Sequence, residues 1–311
     1  MFGVTIHQSS GWPGFDPGCT QHPTTEWRSL PIMRAFDPEV VDAVWAAVEP
    51  LLPDPPTDTH PLGCHRLRVS DRICFEAILV RLALGCAWVT AEALTGNQVS
   101  DTTLRGRRDE WVAAGVFDAL VAEALAGYDR IIGLELSECA IDGSTHKAPC
   151  GGQGTGRNPT DRGKLGWKWS LLTDRAGIPL GWATDGANRH DSILVPATLE
   201  AVGARGLLGD IETLHLDRGY DSAVVRDLVA ACGIDDLICA KLRAPGAATA
   251  KRSVPLGMRW PIERTNSWLA NYGQLRRNTD LRTIHRMAQI ALTIAVLLTA
   301  KLIDWRNRWT K

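Results

Sequence analysis

The chain has 311 residues, 45% of them apolar and 22% charged, which suffices for a sizeable core spread over about two domains of roughly 100–200 residues each. Collagen-like, disordered and disulfide-stapled miniprotein classes are thereby excluded. The net charge is −1, but residues 241–311 hold 14 Lys and Arg against 3 Asp and Glu, an asymmetry that suits either a polyanionic partner or a basic, solvated helix surface.

Residues 1 to about 36 are rich in Gly, Pro, Ser, Thr and His without periodicity. They read as an unstructured lead-in, with Met33 as a candidate start of translation. No basic segment followed by an apolar one opens the chain, so export is not expected. The 8 cysteines, at 19, 64, 74, 86, 139, 150, 232 and 239, form no Cys-x-x-Cys pair and read as reduced thiols of a cytoplasmic protein.

From Asp37 to Leu52 the residues Val40, Val41, Val44, Ala47, Val48 and Leu51 recur at three and four, which predicts a helix opened by Asp37-Pro38 and closed by Pro53. A second helix follows Ser70-Asp71 and stops near Gly85. Thr90–Leu94, the turn Thr95-Gly96-Asn97 and a helix capped by Ser100 continue the run. That last helix carries Arg105, Arg107 and Arg108 on one side and Leu104, Trp111 and Val112 on the other. Short helix, tight Gly turn and basic helix fit a helix-turn-helix, and many small bundles share the pattern. Residues 37–130 are therefore expected to form an all-helical, helix-turn-helix-like region that is a candidate for DNA contact.

At Ile131 the pattern changes to short β-type runs divided by turns. Ile131–Ser144 contains the apolar Cys139-Ala140-Ile141, which runs directly into Asp142. Trp167–Asp174 and Ile178–Asp185 flank the hairpin loop Arg175-Ala176-Gly177. Thr213–Leu216 runs into Asp217, a helix spans about Ser222 to Cys232, and Asp236–Leu242 is a further short strand. From Pro261 onward the chain is helical, interrupted near Gly273. Its longest uncharged apolar run, Ile290–Ala300, has 11 residues, short of the roughly 20 that cross a bilayer, and reads as a buried helix. The order predicts a mixed α/β sheet flanked by helices over residues 131–311.

Two hydrophobic strands thus end in an aspartate followed by a turn residue, Asp142 and Asp217, and such acids project into the crevice beyond the strand ends, where ligands bind. Taken singly, each is better explained as an Asx-turn or a helix cap. A third acid, Glu263, falls in the first turn of the helix that Pro261 opens, where the helix dipole alone favours it. Together the three acids, 75 and then 46 residues apart, form a constellation.

Asp142-Gly143-Ser144, His190-Asp191, Leu216-Asp217-Arg218-Gly219-Tyr220-Asp221 and Arg259-Trp260-Pro261-Ile262-Glu263-Arg264-Thr265 resemble motifs of the DDE transposases of small bacterial insertion sequences. Val44-Trp45 through Pro53, Gly85-Cys86-Ala87-Trp88 and Trp111–Phe117 resemble the helical region that precedes the catalytic domain there, so the resemblance covers roughly residues 37–305. It implies an RNase H-like fold with Asp142, Asp217 and Glu263 as catalytic metal ligands. It further implies two Mg²⁺ or Mn²⁺ ions, and cleavage of element ends followed by joining to target DNA. Terminal inverted repeats and target duplex become the expected partners, with the protein oligomeric on DNA. Related sequences often place a Tyr three residues before the Arg and a basic residue seven after the Glu; here those positions are Leu256 and Ala270. A nuclease that hydrolyses without joining, and an inactive DNA-binding relic, are the alternative readings.

Around the acids, Arg259, Arg264, Arg276 and Arg277 are candidate phosphate contacts, Arg264 foremost, with a plain surface charge as the competing reading. Residues 150–166 include six glycines and match neither a dinucleotide fingerprint nor a P-loop. They read as a mobile basic loop whose Arg157, Arg162 and Lys164, with Lys168 just beyond, either reach phosphates or stay solvated. His190-Asp191 reads as a turn at the edge of the site, with Asp191 a remote competitor of Asp217. Trp260 and Trp268 read as core or interface anchors with the option of stacking on a base.

Overall fold

The computed structural model describes residues 34–55, 68–234, 236–239 and 259–309. The lead-in as far as Met33, the last residues of the strand expected to reach Leu242, and Leu256 lie outside the described residues. The lead-in ends earlier than expected: Ala35 is buried, and Arg34 reaches across the chain to Asp304 at 2.7 Å, so ordered packing starts ahead of Asp37.

Among the described residues five α-helices come first: α1 (Pro38–Val48), α2 (Asp71–Leu84), α3 (Trp88–Leu94), α4 (Asp101–Ala113) and α5 (Val116–Ile131). Their ends follow local chemistry. Asp37 caps α1 by accepting the Glu39 amide, and Ser100 caps α4 by accepting that of Thr103. Gly85 closes α2 in the left-handed conformation, at φ 70°. Strands β1 (Glu138–Lys147), β2 (Gly156–Arg157), β3 (Leu165–Thr173), β4 (Pro179–Gly186), β5 (Thr213–Leu216) and β6 (Asp236–Cys239) form one sheet. Helix α6 (Val195–Gly203) follows β4 and α7 (Ala223–Ala231) follows β5. The chain closes with α8 (Trp260–Ala270), α9 (Gly273–Arg276) and α10 (Thr283–Trp309).

The strand order is β2-β3-β1-β5-β6, with β4 on β3. Strand β1 pairs antiparallel with β3 and parallel with β5, and β5 pairs parallel with β6. The antiparallel hairpin beside parallel strands is the mixed, helix-flanked sheet the sequence predicts. Segment 150–166 is pinned where a mobile loop was expected. Its β2 pairs with the start of β3, the Gln153 amide donates to the Leu281 carbonyl at 2.7 Å, and the Arg286 guanidinium binds the Gly151 carbonyl at 2.9 Å.

Helix α10 has 27 residues and is long and apolar enough to cross a membrane, yet it is the central helix of this core and buries Ile290 through Leu298. It packs against α5 and α1, so helical region and sheet share one hydrophobic core. Two devices lock them together. Asp280, just before α10, accepts from Arg81 of α2 and Arg108 of α4, both at 3.0 Å, and from Gln289 at 2.5 Å. Burial alone would raise its pKa, but the two guanidiniums hold it below the usual carboxylate range.

The other device is a backbone-to-backbone contact between Gly85 and Gly273. A methyl on Gly273 would lie 2.4 Å from the Leu84 carbonyl carbon, and one on Gly85 would lie 2.6 Å from the Gly273 carbonyl carbon. Gly106, in mid-helix α4, has nothing within 4 Å of such a methyl. Gly273→Ala should therefore lower the melting temperature by several degrees, whereas Gly106→Ala should raise stability by about 0.5–1 kcal/mol through helix propensity. Thermal unfolding of both variants checks this, and equal effects would contradict the close approach.

Candidate active site

Strand β1 buries Cys139, Ala140 and Ile141, then turns partly exposed at Asp142; the strand does not end there, as the sequence suggested, but continues through Gly143 to Lys147 because its pairing with β3 carries on. Its neighbour β5 buries Leu214, His215 and Leu216, and Asp217 follows directly. The parallel register pairs Glu138 with Thr213, Cys139 with Leu214 and Ala140 with His215, an offset of 75 residues. The paired residues stop there; extended by two residues past the last pair, the same offset would align Asp142 with Asp217, which directly follows β5. The third acid is on α8, which packs on β1 and β3. Arg259, at the start of that helix, places Nη1 3.4 Å from Asp217 Oδ1 and Nη2 3.5 Å from Glu263 Oε1. The guanidinium thereby links the second acid to the third.

Burial dominates at Asp142 and pushes its carboxyl up to about 6; the Gly143 amide, the Arg259 charge and the Asn266 amide pull it back, and Asp191 raises it further. Asn266 Nδ2 donates to Asp142 Oδ2 at 3.0 Å, and its Oδ1 accepts from Trp169 Nε1 at 2.8 Å. Sequence reasoning passed over Asn266. Its signal was the position three residues after Glu263, on the same side of a helix.

Asp191 belongs to the same neighbourhood. A methyl on Gly143 would lie 2.7 Å from its Oδ1 and 3.4 Å from the Tyr220 hydroxyl, so a side chain here would have to displace that carboxylate. Tyr220 is buried and its hydroxyl has no hydrogen-bond partner among the described residues, while Asp191, Asp142 and Asp217, after burial itself, raise its pKa. The set of carboxylates with an orphaned hydroxyl is an all-oxygen donor set, which suits a hard divalent cation. Among the described residues no three His, Cys, Asp or Glu side chains converge tightly enough to enclose an ion, and it is Arg259 that sits between Asp217 and Glu263. The donors fit such an ion by chemistry, and binding it requires them to draw together.

Several basic residues expected at DNA are committed elsewhere. Arg107 shares the inward face of α4 with Leu104 and Trp111, is 5% exposed, and pairs with Asp71 and with Glu110. The spacing of three and four that buries Leu104 and Trp111 buries Arg107 as well, so α4 has no continuous basic face. Arg108 is tied to Asp109 and Asp280. Arg264 donates to the Ala176 carbonyl at 2.6 Å between the rings of Trp260 and Trp268, at 4.4 and 4.6 Å, and so clamps α8 to the β3–β4 loop. Lys168 is buried and bonds Asp191 at 2.7 Å, which fixes that acid next to the site. Arg105, Arg157, Arg162, Lys164, Arg276 and Arg277 are exposed, as is Trp260.

Comparison with known proteins places these features in a family. Residues 134–299 match the family model described as "Transposase DDE domain", and residues 40–121 match "Putative transposase of IS4/5 family". The chain is 34% identical over 133 residues, 41% of its own length, to the "Putative transposase for insertion sequence element IS402" of Burkholderia cepacia, and that match spans 60% of the relative's length. It is also 36% identical over 122 residues, 39% of its length, to the "Insertion element IS402 uncharacterized 16.2 kDa protein" of the same organism, covering 82% of that protein.

The Asp142 carboxyl yields a signed prediction. Because its folded pKa lies above the ordinary 3.8, the ionised form costs stability. The cost is absent below about pH 4, builds up between about 4 and 6, and is complete above. Asp142→Asn should therefore stabilise the protein without added metal by on the order of 2 kcal/mol at pH 7.5 and by nothing at pH 4. Chemical denaturation at both pH values measures it, and equal stability at pH 7.5 would contradict the buried charge.

Proposed function

This chain belongs to the transposase DDE domain family, and from that premise we propose that it is a metal-dependent DNA transposase, which cuts the ends of its own element and joins them to target DNA. One observation supports the reading: Arg259 ties Asp217 to Glu263, and the parallel register of β1 and β5, extended two residues past its last pair, aligns Asp217 with Asp142.

In this reading Asp142, Asp217 and Glu263 would hold Mg²⁺ or Mn²⁺, two ions being expected, and such ions would supply activation of the attacking oxygen and stabilisation of the leaving one. The chain supplies the rest. Asn266 orients the Asp142 carboxylate, and Lys168 holds Asp191 against Gly143. Arg259 is placed to exchange its carboxylate contacts for a DNA phosphate as the acids engage metal. Exposed Trp260 offers a ring face next to Glu263 for an unstacked base. Exposed Arg157, Arg162, Lys164, Arg276, Arg277 and Arg105 are the remaining candidates for phosphate contact.

Water attacks a phosphodiester at the element end and releases a 3′-hydroxyl and a 5′-phosphate. The 3′-hydroxyl then attacks a target phosphodiester, forming one ester as another breaks, so neither a covalent protein intermediate nor an external energy source is needed. The DNA partners are the terminal inverted repeats and a target duplex, met by paired protomers in the bacterial cytoplasm.

Glu263→Gln is expected to lower strand cleavage at least a thousandfold while retaining duplex binding, because one metal ligand is lost and no phosphate contact is. Labelled duplexes carrying the DNA that flanks the gene, with Mg²⁺, Mn²⁺ or chelator, measure both quantities. A joined product separates transposition from plain hydrolysis. Equal cleavage by the two proteins would remove Glu263 from the site.

A further inference from the structure

A second feature, away from the three acids, lies where the helical region meets the sheet-bearing part. Between α2, α3, α4 and the segment that leads into α10 is a cavity of about 560 Å³, walled by Arg81, Arg105, Arg108, Arg277, Arg282 and His285. Five arginines thus stand against a single lining carboxylate, Asp280. That carboxylate is buried and already neutralised by Arg81 and Arg108. His285 Nε2 is 2.9 Å from Asp109, and Arg105 is paired with Asp101 at the surface. Arg277 and Arg282 are exposed on the rim, and neither has an ion-pair partner among the described residues. Helix α10 begins at the same rim and adds the positive end of its dipole.

The basin's distance from the acids can be read along β1. Asp142 and Lys147 are five residues apart on that strand, and the Arg277 backbone bridges Lys147 while the Asn278 amide donates to the Lys147 carbonyl. At about 3.4 Å per residue the near wall is roughly 17 Å from Asp142, or about five base-pair steps of a duplex.

We propose that this basin is a second DNA contact, which takes successive backbone phosphates of a duplex on Arg277 and Arg282, with Arg105 of the helical region facing them. The inference rests on the transposase reading and adds to it a place where one DNA strand is held by both parts of the chain at once. A small anion would be enclosed by the buried guanidiniums, but their charge is already countered by Asp280. The free charges are on an open rim, which suits a phosphate backbone passing over it. Because the Asp280 network and the Gly85–Gly273 contact fix the two walls rigidly, the spacing of the rim arginines is preset.

The test is duplex binding by fluorescence anisotropy across roughly 50–300 mM salt, comparing wild type, the double variant Arg277→Ala/Arg282→Ala, and Arg130→Ala as an exposed control on α5. Both rim side chains are exposed and form no ion pair among the described residues, so the double variant keeps its fold. Expected is a loss of at least about tenfold in affinity near 100 mM salt and a shallower salt dependence by about two phosphate contacts, with the control unchanged. Unchanged affinity and slope in the double variant overturns this inference and leaves the transposase reading standing. A wild-type protein that binds no duplex overturns both. Inorganic pyrophosphate is the competing probe: binding that the double variant abolishes, with duplex binding intact, would assign the basin to a small phosphate ligand and overturn the proposal.

Discussion

Everything proposed for this protein depends on how β1 and β5 lie against each other. They are neighbouring parallel strands in the middle of the sheet, and each becomes apolar and buried just before its acid, Cys139-Ala140-Ile141 before Asp142 and Leu214-His215-Leu216 before Asp217. A slip of one residue would exchange the faces of a whole strand, so burial fixes the register strongly. With the register fixed, Asp217 leaves the end of β5 near the middle of β1, where Asp142 stands. The charge of Asp142 is offset in part by the Arg259 guanidinium and the Asn266 amide, and Arg259 also reaches Asp217, both partners coming from the region of α8. Helix α8 is in turn held by the β3–β4 loop, where Thr265 donates to the Gly177 carbonyl at 2.6 Å and Gly177, at φ 78°, leaves room for the contact. The hairpin is thus the abutment that sets the third acid's helix against the strands.

A buried carboxylate governs the joint between the two parts. Asp280 with Arg81 and Arg108 is a poor source of stability, since desolvation consumes much of the Coulombic gain, but removal of one partner is costly, at about 3–5 kcal/mol. Its value is geometric. Along with the Gly85–Gly273 contact it gives the helical region one docking position, and the arginines left on the rim then face a common space.

Much of this was legible in the sequence, for identifiable reasons. Helix α1 has strong periodicity, α2 is closed by Gly85 and α4 is opened by Ser100, and the hairpin announces itself through Gly177. The offset of 75 between Asp142 and Asp217 was visible as a number, and its meaning came from pairing. Charges were less legible. Arg107, Arg108 and Arg264 read as surface cations because a sequence does not distinguish a guanidinium that faces DNA from one that faces Asp71, Asp280 or a carbonyl. Lys168 and Asp191 are 23 residues apart, and only the β3–β4 hairpin with the turn after it brings them together. Asn266 and Asp280 went unnoticed because a lone polar residue on a helix or before one has no pattern to reveal its partner.

The central claim is that Asp142, Asp217 and Glu263 surround a divalent cation, and the most direct measurement is to let the cation mark its own surroundings. Fe²⁺ substituted for Mg²⁺ in the presence of ascorbate and peroxide generates hydroxyl radicals that cut the nearby polypeptide backbone. The account predicts fragments ending close to residues 142, 217 and 263, suppressed by excess Mg²⁺. Cuts elsewhere in the chain, or none that Mg²⁺ suppresses, would contradict it.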